Sequence, residues 1–487
     1  MLQAFFAGKD GHYDTTKTFS IFCVSHAHLC SGLCSGGRSS PDRVSPVYFR
    51  YVRIILSVSN SGKEASVMAS YLISPGTAVR GSITVSGSKN AALPVLAAGL
   101  LSSGTSILEN IPILADTLCM EELLRSLGAD CTRDSDGCVS VSFSPGSRRK
   151  SVSPEPFRKL RASFLVMGPL LARTGKARIP LPGGCQIGTR PVDLHLKGFA
   201  AMGAKIRQGH GFVEACCDRL TGSTVYLDFP SVGATENLML AATLAKGQTV
   251  IENAAAEPEI SDLANCLTAM GAKIRGAGSD TVTIDGKSEL HPCVHRVIPD
   301  RIETGTFLAL AAASRGDLIL NHVIPAHSKP VLAKLEEMGF DMEVGEDFLH
   351  IRPCERFKSV DIKTLPHPGF PTDMQSQFMA LLSVADGTGV LVETVFENRF
   401  MQAPELLRMG AKIKIDGRTA VIDGSKRLSG ARVKATDLRA GAALVIAAVA
   451  AHGETCIDNI SHIERGYENF VEKLQNIGMS IQKTEGV

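Results

Sequence analysis

Two apolar patterns alternate along most of the chain. The first is a short run with no polar face: AALPVLAAGLL from Ala91, FLVMGPLLA from Phe164, LMLAATLA from Leu238, FLALAAA from Phe307, FMALLSVA from Phe378 and ALVIAAVAA from Ala443. A helix that is apolar all round has to be covered on every side, so each run predicts a buried helix. The second is an amphipathic stretch that ends in glycine: SLGAD at Gly128, AMGAK at Gly203 and again at Gly271, EMGFD at Gly339, RMGAK at Gly410 and NIGMS at Gly478. Glycine just past a periodic helix predicts a left-handed C-cap, the conformation it adopts at least cost. The residues that follow alternate apolar and polar (AKIRQ, AKIRG, AKIKI), which predicts strands. A third signal comes after the buried runs, a glycine turn leading into a strand: SGTSILEN, KGQTVIEN, RGDLILN, DGTGVLVET and HGETCIDN, with TGKARIPL at Thr174 a looser copy.

These signals recur in phase every 68 to 75 residues, which makes six copies of one unit. Each copy supplies strands, one buried helix and one exposed helix. About 420 residues exceed what one core usually holds, so the expectation is two compact domains of three units each, helices inside and sheets around them. The fold class expected is α/β, an inside-out α/β barrel with two pseudo-threefold domains built from six βαβαββ-type units.

Residues 1–67 do not follow the pattern. They carry Ser/Gly clusters and no sustained period. Three readings stay open: translation from a start upstream of a true start at Met68, a Ser-rich targeting segment, or an extra element.

Composition narrows the class. The net charge is +2, too small for a protein that holds nucleic acid by bulk positive charge, though a local cationic pocket remains compatible. No apolar stretch reaches the roughly 18 residues of a membrane-spanning helix. The thirteen cysteines form no CxxC pair, and Cys23, Cys30 and Cys34 of the leader carry no recognised ligand pattern, which speaks for a reducing compartment and against a zinc site. There is no Trp, so the cores must be aliphatic.

Candidate chemistry gathers where the buried helices begin. Lys89 and Asn90 precede the first, Arg161 the second, SVGATEN from Ser231 the third, DRIETGT from Asp300 the fourth, Asp373 the fifth, and Asp437 with Arg439 the sixth. Asp373 and Asp437, taken alone, read as N-caps. Lys89 and Arg161 do not, because a cation at a helix N-terminus is unfavourable and calls for a compensating anion. Helix N-termini pointing the same way would converge on a cleft suited to phosphates or carboxylates. The loop PGGCQIGTRPVDL, from Pro182, breaks the pattern. Cys185 lies between glycines and a basic residue, Arg190, the setting of a reactive thiol. His195 reads equally well as a structural partner of that loop.

At these residues the chain resembles a known family. SGSKNAALP, LRASF, PGGCQIGTRPVDLH, PSVGATEN, NAAAEPEI, PDRIETGTF, PHPGFPTDMQ, ENRFM, ATDLRAG and HIERGYE follow one another in the order found in the UDP-N-acetylglucosamine 1-carboxyvinyltransferases, enolpyruvyl transferases of peptidoglycan synthesis. The resemblance runs from about Met68 to the C-terminus. It implies a first domain over 89–297 and a second over 68–88 plus 298–487. It implies phosphoenolpyruvate and UDP-N-acetylglucosamine as substrates, no cofactor and no metal, and a cytoplasmic enzyme (or an organellar one, if the leader is a targeting segment).

It also implies roles. The sugar 3′-hydroxyl attacks C2 of phosphoenolpyruvate, C3 is protonated, and phosphate leaves the tetrahedral intermediate. Asp373 would be the base. Cys185 would be the acid at C3, the residue that forms an adduct with phosphoenolpyruvate and with fosfomycin. Lys89, Arg190 and Arg465 would clamp phosphate, with Arg161, Arg399 and Arg439 around them and Asp437 a further essential carboxylate. Asn90, Arg190, Pro191, Val192, Asp193, Leu194, Ser231, Val232, Gly233 and Asp373 would hold the nucleotide sugar, and Val395 is counted with them. The loop 182–191 would close as a lid. One departure concerns Asp228-Phe229-Pro230, where some members carry a basic residue near the uridine phosphates. Two rivals remain: the shikimate-phosphate enolpyruvyl transferase, which lacks the PGGC lid, and a non-catalytic repeat scaffold. Oligomeric state is not legible.

Overall fold

The computed structural model describes residues 69–485 except 76–77, 136, 145–156, 158–159, 182–191, 210 and 426. The leader and the whole Cys185 loop, with Arg190 and Pro191, lie outside the described residues. The chain divides after Glu64, and everything below belongs to the unit Ala65–Val487.

The helices fall into two sets. The apolar runs become α1 (Lys89–Ala98), α3 (Met167–Thr174, continuing a 3-10 turn, Arg161–Val166), α5 (Val232–Ala242), α7 (Arg301–Ser314), α9 (Gln375–Leu382, after the 3-10 turn Thr372–Met374) and α11 (Leu438–Val449). The amphipathic stretches become α2 (Ala115–Ser126), α4 (Asp193–Ala201), α6 (Pro258–Ala269), α8 (Lys329–Met338), α10 (Ala403–Arg408) and α13 (Phe470–Asn476), with the single turn α12 (Ser461–Glu464) between the last two. Glycines 128, 203, 271, 339, 410 and 478, which follow the amphipathic helices, all have φ between 87° and 107°. Any side chain there would be strained.

Two apolar cores result. One is built from residues between Ala91 and Val297, around α1, α3 and α5. The other joins Tyr71–Val85 to Ile302–Ile481, around α7, α9 and α11, each of which packs on the other two. In α7 every residue from Ile302 to Ala313 is buried, and in α11 every residue from Arg439 to Val449. Small side chains let the axes approach. A Cβ on Gly168 in α3 would fall against the Asn237 carbonyl oxygen of α5.

The strands assemble into sheets. Five have four strands in one common order, a parallel pair followed by two antiparallel neighbours. Val294–Arg296 runs parallel to Ser106–Glu109, followed by Val139–Ser142 and Asp130–Arg133. Arg80–Thr84 runs parallel to Asp317–Asn321, followed by Phe348–Ile351 and Met342–Val344. A sixth sheet shows three strands among the described residues, in the order Lys176–Pro180, Phe212–Cys216, Lys205–Gly209.

The chain crosses between the cores twice, at 86–88 and 298–300, and the crossings are tied together. Ser88 N donates to Ile298 O at 2.7 Å and Asp300 N to Ser86 O at 2.9 Å. Gly87 bridges Pro299 between them, and a Cβ there would fall on the Asn110 carbonyl oxygen, so only glycine fits. No helix among the described residues is long and apolar enough to cross a membrane.

Candidate active site

The N-terminal ends of α7, α9 and α11 meet at one end of the second core. Asp373 stands in the turn before α9 and does not cap it. Its Oδ1 accepts from Arg399 Nη2 at 2.6 Å, and its Oδ2 accepts from Arg439 Nη2 at 2.9 Å and Nε at 3.3 Å. Burial alone would raise this carboxyl. Arg399 and Arg439 outweigh it and hold Asp373 well below the usual carboxylate range. Arg301, the first residue of α7, adds its field to Asp373 and is itself bound to Glu259 of the first core, Nε to Oε1, at 3.0 Å.

The two arginines are held from behind. Arg399 Nη1 donates to Thr372 Oγ1 at 2.9 Å, and that hydroxyl donates to Glu393 Oε2 at 2.8 Å. Glu393 is buried, and its Oε1 accepts from the backbone N–H of Val395 at 2.8 Å and of Phe396 at 3.1 Å, which sets the loop leading to Arg399. Arg439 Nη1 donates to Tyr467 Oη at 3.2 Å. Thr306 gives its own proton to Ile302 O at 2.7 Å, so in its 3.0 Å contact with Tyr467 the phenol is the donor. Asp437 is the N-cap of α11, accepting from Arg439 N at 2.9 Å and Ala440 N at 3.0 Å.

A second charge cluster joins the two cores. Lys89, the first residue of α1, lies with Nζ 3.2 Å from Asp116 Oδ2. Arg465, just past α12, places Nε and Nη2 each 2.9 Å from Asp116 Oδ1. Arg465 and Asp437 both act on His462, which puts Arg465 beside the start of α11. The anion that a cation at the start of α1 requires is therefore supplied here by Asp116, a residue without a part in the sequence argument.

The first core contributes the remaining residues. Asn90 is half-buried in the first turn of α1. Ser231 caps α5, accepting from Ala234 N at 3.4 Å, with Val232 and Gly233 in the first turn. Asp193 and Leu194 open α4, and Val192 precedes it. His195 of α4 packs edge-on against Phe164, ring centroids 5.1 Å apart, and meets Asn237 Nδ2 at 3.1 Å. Asn237 Oδ1 accepts from Gly168 N at 2.8 Å, so its amide orientation is fixed and His195 Nδ1 is the acceptor. Burial, with Arg161 adding, pushes His195 down to about 3, so it is neutral and ties α4 to α5. Beside Asp228, the residue marked as a departure, stands Lys197, Nζ to Oδ2 at 2.8 Å.

The structure thus brings Lys89 to Arg465, and Asp373 to Arg399 and Arg439. It does not bring Asp437 into direct ion contact with these arginines. Asp116, Glu259, Glu393, Thr372 and Tyr467 are the residues the sequence argument did not assign. Four of them lie within or next to motifs already quoted, but Asp116 in LADTLC looks like any acidic residue in a first helical turn.

Known proteins are similar to this chain. The family model of EPSP synthase (3-phosphoshikimate 1-carboxyvinyltransferase) matches residues 73–474. A curated UDP-N-acetylglucosamine 1-carboxyvinyltransferase 2 of Carboxydothermus hydrogenoformans is 57% identical over 418 residues, 85% of this chain and 99% of that protein. The chain belongs to the UDP-N-acetylglucosamine 1-carboxyvinyltransferases. The correspondingly named protein of Halothermothrix orenii is 52% identical over 86% of this chain and all of its own length. Among solved structures, the enolpyruvyl transferase NikO of Streptomyces tendae superposes with a TM-score of 0.77 at 27% identity, covering 86% of this chain and all of that one. An EPSP synthase of Acinetobacter baumannii superposes at 0.67 with 19% identity over 85% of this chain and 100% of that one, a likeness of fold alone.

Proposed function

We propose that this chain transfers the enolpyruvyl group of phosphoenolpyruvate to the 3′-hydroxyl of UDP-N-acetylglucosamine and releases phosphate. The observation that carries the reading is the pair of charge clusters, Lys89–Asp116–Arg465 and Asp373–Arg399–Arg439, at the buried-helix starts of a chain 57% identical to a transferase of that name. The rival acceptor, shikimate 3-phosphate, is supported by the family model's name, against relatives of 49–57% identity named for the nucleotide sugar.

The two cores are taken as two domains, 89–297 and 68–88 plus 298–487, each a pseudo-threefold inside-out barrel of three βαβαββ-type units. The shared strand order and the three mutually packed helices of the second core support this. Phosphoenolpyruvate is placed with its phosphate on Lys89, Arg190 and Arg465 and its carboxylate near Arg399 and Arg439. Fixed cations stabilise the charge that develops on the leaving phosphate.

Asp373 takes the proton of the 3′-hydroxyl. Its lowered pKa makes it a weak base toward a free alcohol, but the hydroxyl becomes acidic as its oxygen bonds to C2, and a late transfer needs only a weak base. Cys185 gives a proton to C3. Loss of a C3 proton and of phosphate from C2 then restores the double bond. Asn90, Arg161, Val192 to Leu194, Ser231 to Gly233 and Val395 surround the nucleotide sugar, with Asp437 fixing the α11 terminus that carries Arg439. The resemblance gives residues 182–191, which lie outside the described residues, the part of a lid that would exclude water. The nine described cysteines are free thiols, which supports a cytoplasmic setting.

The test measures phosphate release from phosphoenolpyruvate with each acceptor. Release with UDP-N-acetylglucosamine and none with shikimate 3-phosphate is expected. The reverse pattern would overturn the assignment.

A further inference from the structure

We propose that Asp116 is a positioning residue for phosphate recognition, presetting Lys89 and Arg465 as one two-sided clamp before phosphoenolpyruvate arrives. The proposal rests on the reading that these two cations receive the substrate's phosphate.

The geometry carries it. Lys89 belongs to the first core and Arg465 to the second, 349 residues from Asp116, and no covalent path fixes their separation. One carboxylate does. Its Oδ2 faces Lys89 at 3.2 Å and its Oδ1 faces Arg465 at 2.9 Å. The Asp116 side chain is 9% exposed and stands in the first turn of α2, where the helix field favours an anion. Burial opposes its ionisation, but Lys89 and Arg465 outweigh that and lower its pKa.

The donors are not used up. An ammonium has three N–H groups and a guanidinium five. Asp116 engages Lys89 Nζ through one oxygen, a contact that takes one of its three N–H groups, and one edge of Arg465, whose side chain is 43% exposed. Two cations against one carboxylate leave one positive charge, enough to attract a phosphate dianion, while the carboxylate keeps the cations from repelling each other apart. A simple strut between the cores would need neither spare donors nor surplus charge.

The experiment uses the full chain and Asp116→Asn. An amide keeps an acceptor for Arg465 but turns an N–H toward Lys89, so the clamp loses one side. Loss of a charged contact of this kind is expected to raise the KM for phosphoenolpyruvate about tenfold and to weaken competitive inhibition by inorganic phosphate in step, about 1.4 kcal/mol. The KM for UDP-N-acetylglucosamine should stay within about twofold, and Asp116→Glu should recover part of the loss.

Unchanged phosphoenolpyruvate KM and phosphate inhibition in a folded Asp116→Asn would overturn the proposal. So would tighter phosphate binding, which would make Asp116 a mere competitor, or both KM values rising together, which would make it a strut. If the amide variant does not fold, Asp116→Ser is judged by the same outcomes. Calorimetric titration with inorganic phosphate decides the question separately from turnover. A wild-type chain that binds phosphate but transfers nothing to UDP-N-acetylglucosamine would sink the functional reading, while the variant's phosphate affinity still settles the role of Asp116.

Discussion

Asp373 shows what a single residue carries. Arg399 and Arg439 have side chains only 4% and 5% exposed, and this carboxylate is the ion-pair partner of both. Asp373→Asn would leave two buried cations short of a partner, at about 3 kcal/mol of stability. Turnover should fall at least about 100-fold, the size of a lost general base, while UDP-N-acetylglucosamine still binds, as calorimetry would check. The pH dependence has a definite sign. A carboxyl whose folded pKa is lowered adds stability that is present above its unfolded value of about 3.9 and lost as pH falls through the folded one. The acid limb of the stability curve should therefore be shallower in the amide variant. At Cys185, substitution by alanine should abolish turnover and fosfomycin labelling, whereas aspartate, also able to give C3 a proton, should keep turnover and lose the label. Kinetics with labelled inhibitor tests both. Sequence singled out Lys89 because its charge opposes the helix field. It was silent on Asp116, whose charge agrees with that field and whose partners are distant in the chain.

At the scale of elements, the glycine caps have measurable consequences. Gly203 has φ +92° with open space around its Cβ direction, so Gly203→Ala should cost only the conformational strain, about 1–2 kcal/mol. Gly168 is different. Its Cβ direction is filled by the Asn237 carbonyl and amide oxygens, so Gly168→Ala must part α3 from α5 and should cost more, about 3 kcal/mol. Denaturant titration would rank the two, and equal costs would contradict the packing argument. The positions of the buried helices were readable from their apolar runs, but the runs alone fall short of the starts, which the polar motifs at Ser231 and Asp300 marked instead. The third run begins at Leu238 and its helix at Val232, and the fourth begins at Phe307 and its helix at Arg301. The missing turns hold Thr235, Glu236, Asn237, Glu303 and Thr304, polar residues that are buried. A hydropathy pattern treats them as loop because it cannot see the neighbours that satisfy them.

Over the whole molecule, two apolar cores, in which phenylalanines pack among the aliphatic side chains, are joined by a tied double crossing and by ion contacts such as Arg301–Glu259 and Arg465–Asp116. Periodicity predicted recurring units. It did not reveal that Arg80–Thr84 pairs with Asp317–Asn321, because strand partners more than 200 residues apart leave no local trace. Removing residues 1–67 should leave turnover intact, and an unfolded product would show that the leader belongs to the fold. The chemical identity of the product decides whether this enzyme transfers enolpyruvate to the nucleotide sugar. Phosphoenolpyruvate carrying heavy carbon at C2 should give, with UDP-N-acetylglucosamine, a nucleotide whose labelled carbon is an enol ether bonded to the sugar 3′-oxygen. A label that stays in phosphoenolpyruvate, or appears only on shikimate 3-phosphate when both acceptors are offered, would contradict it.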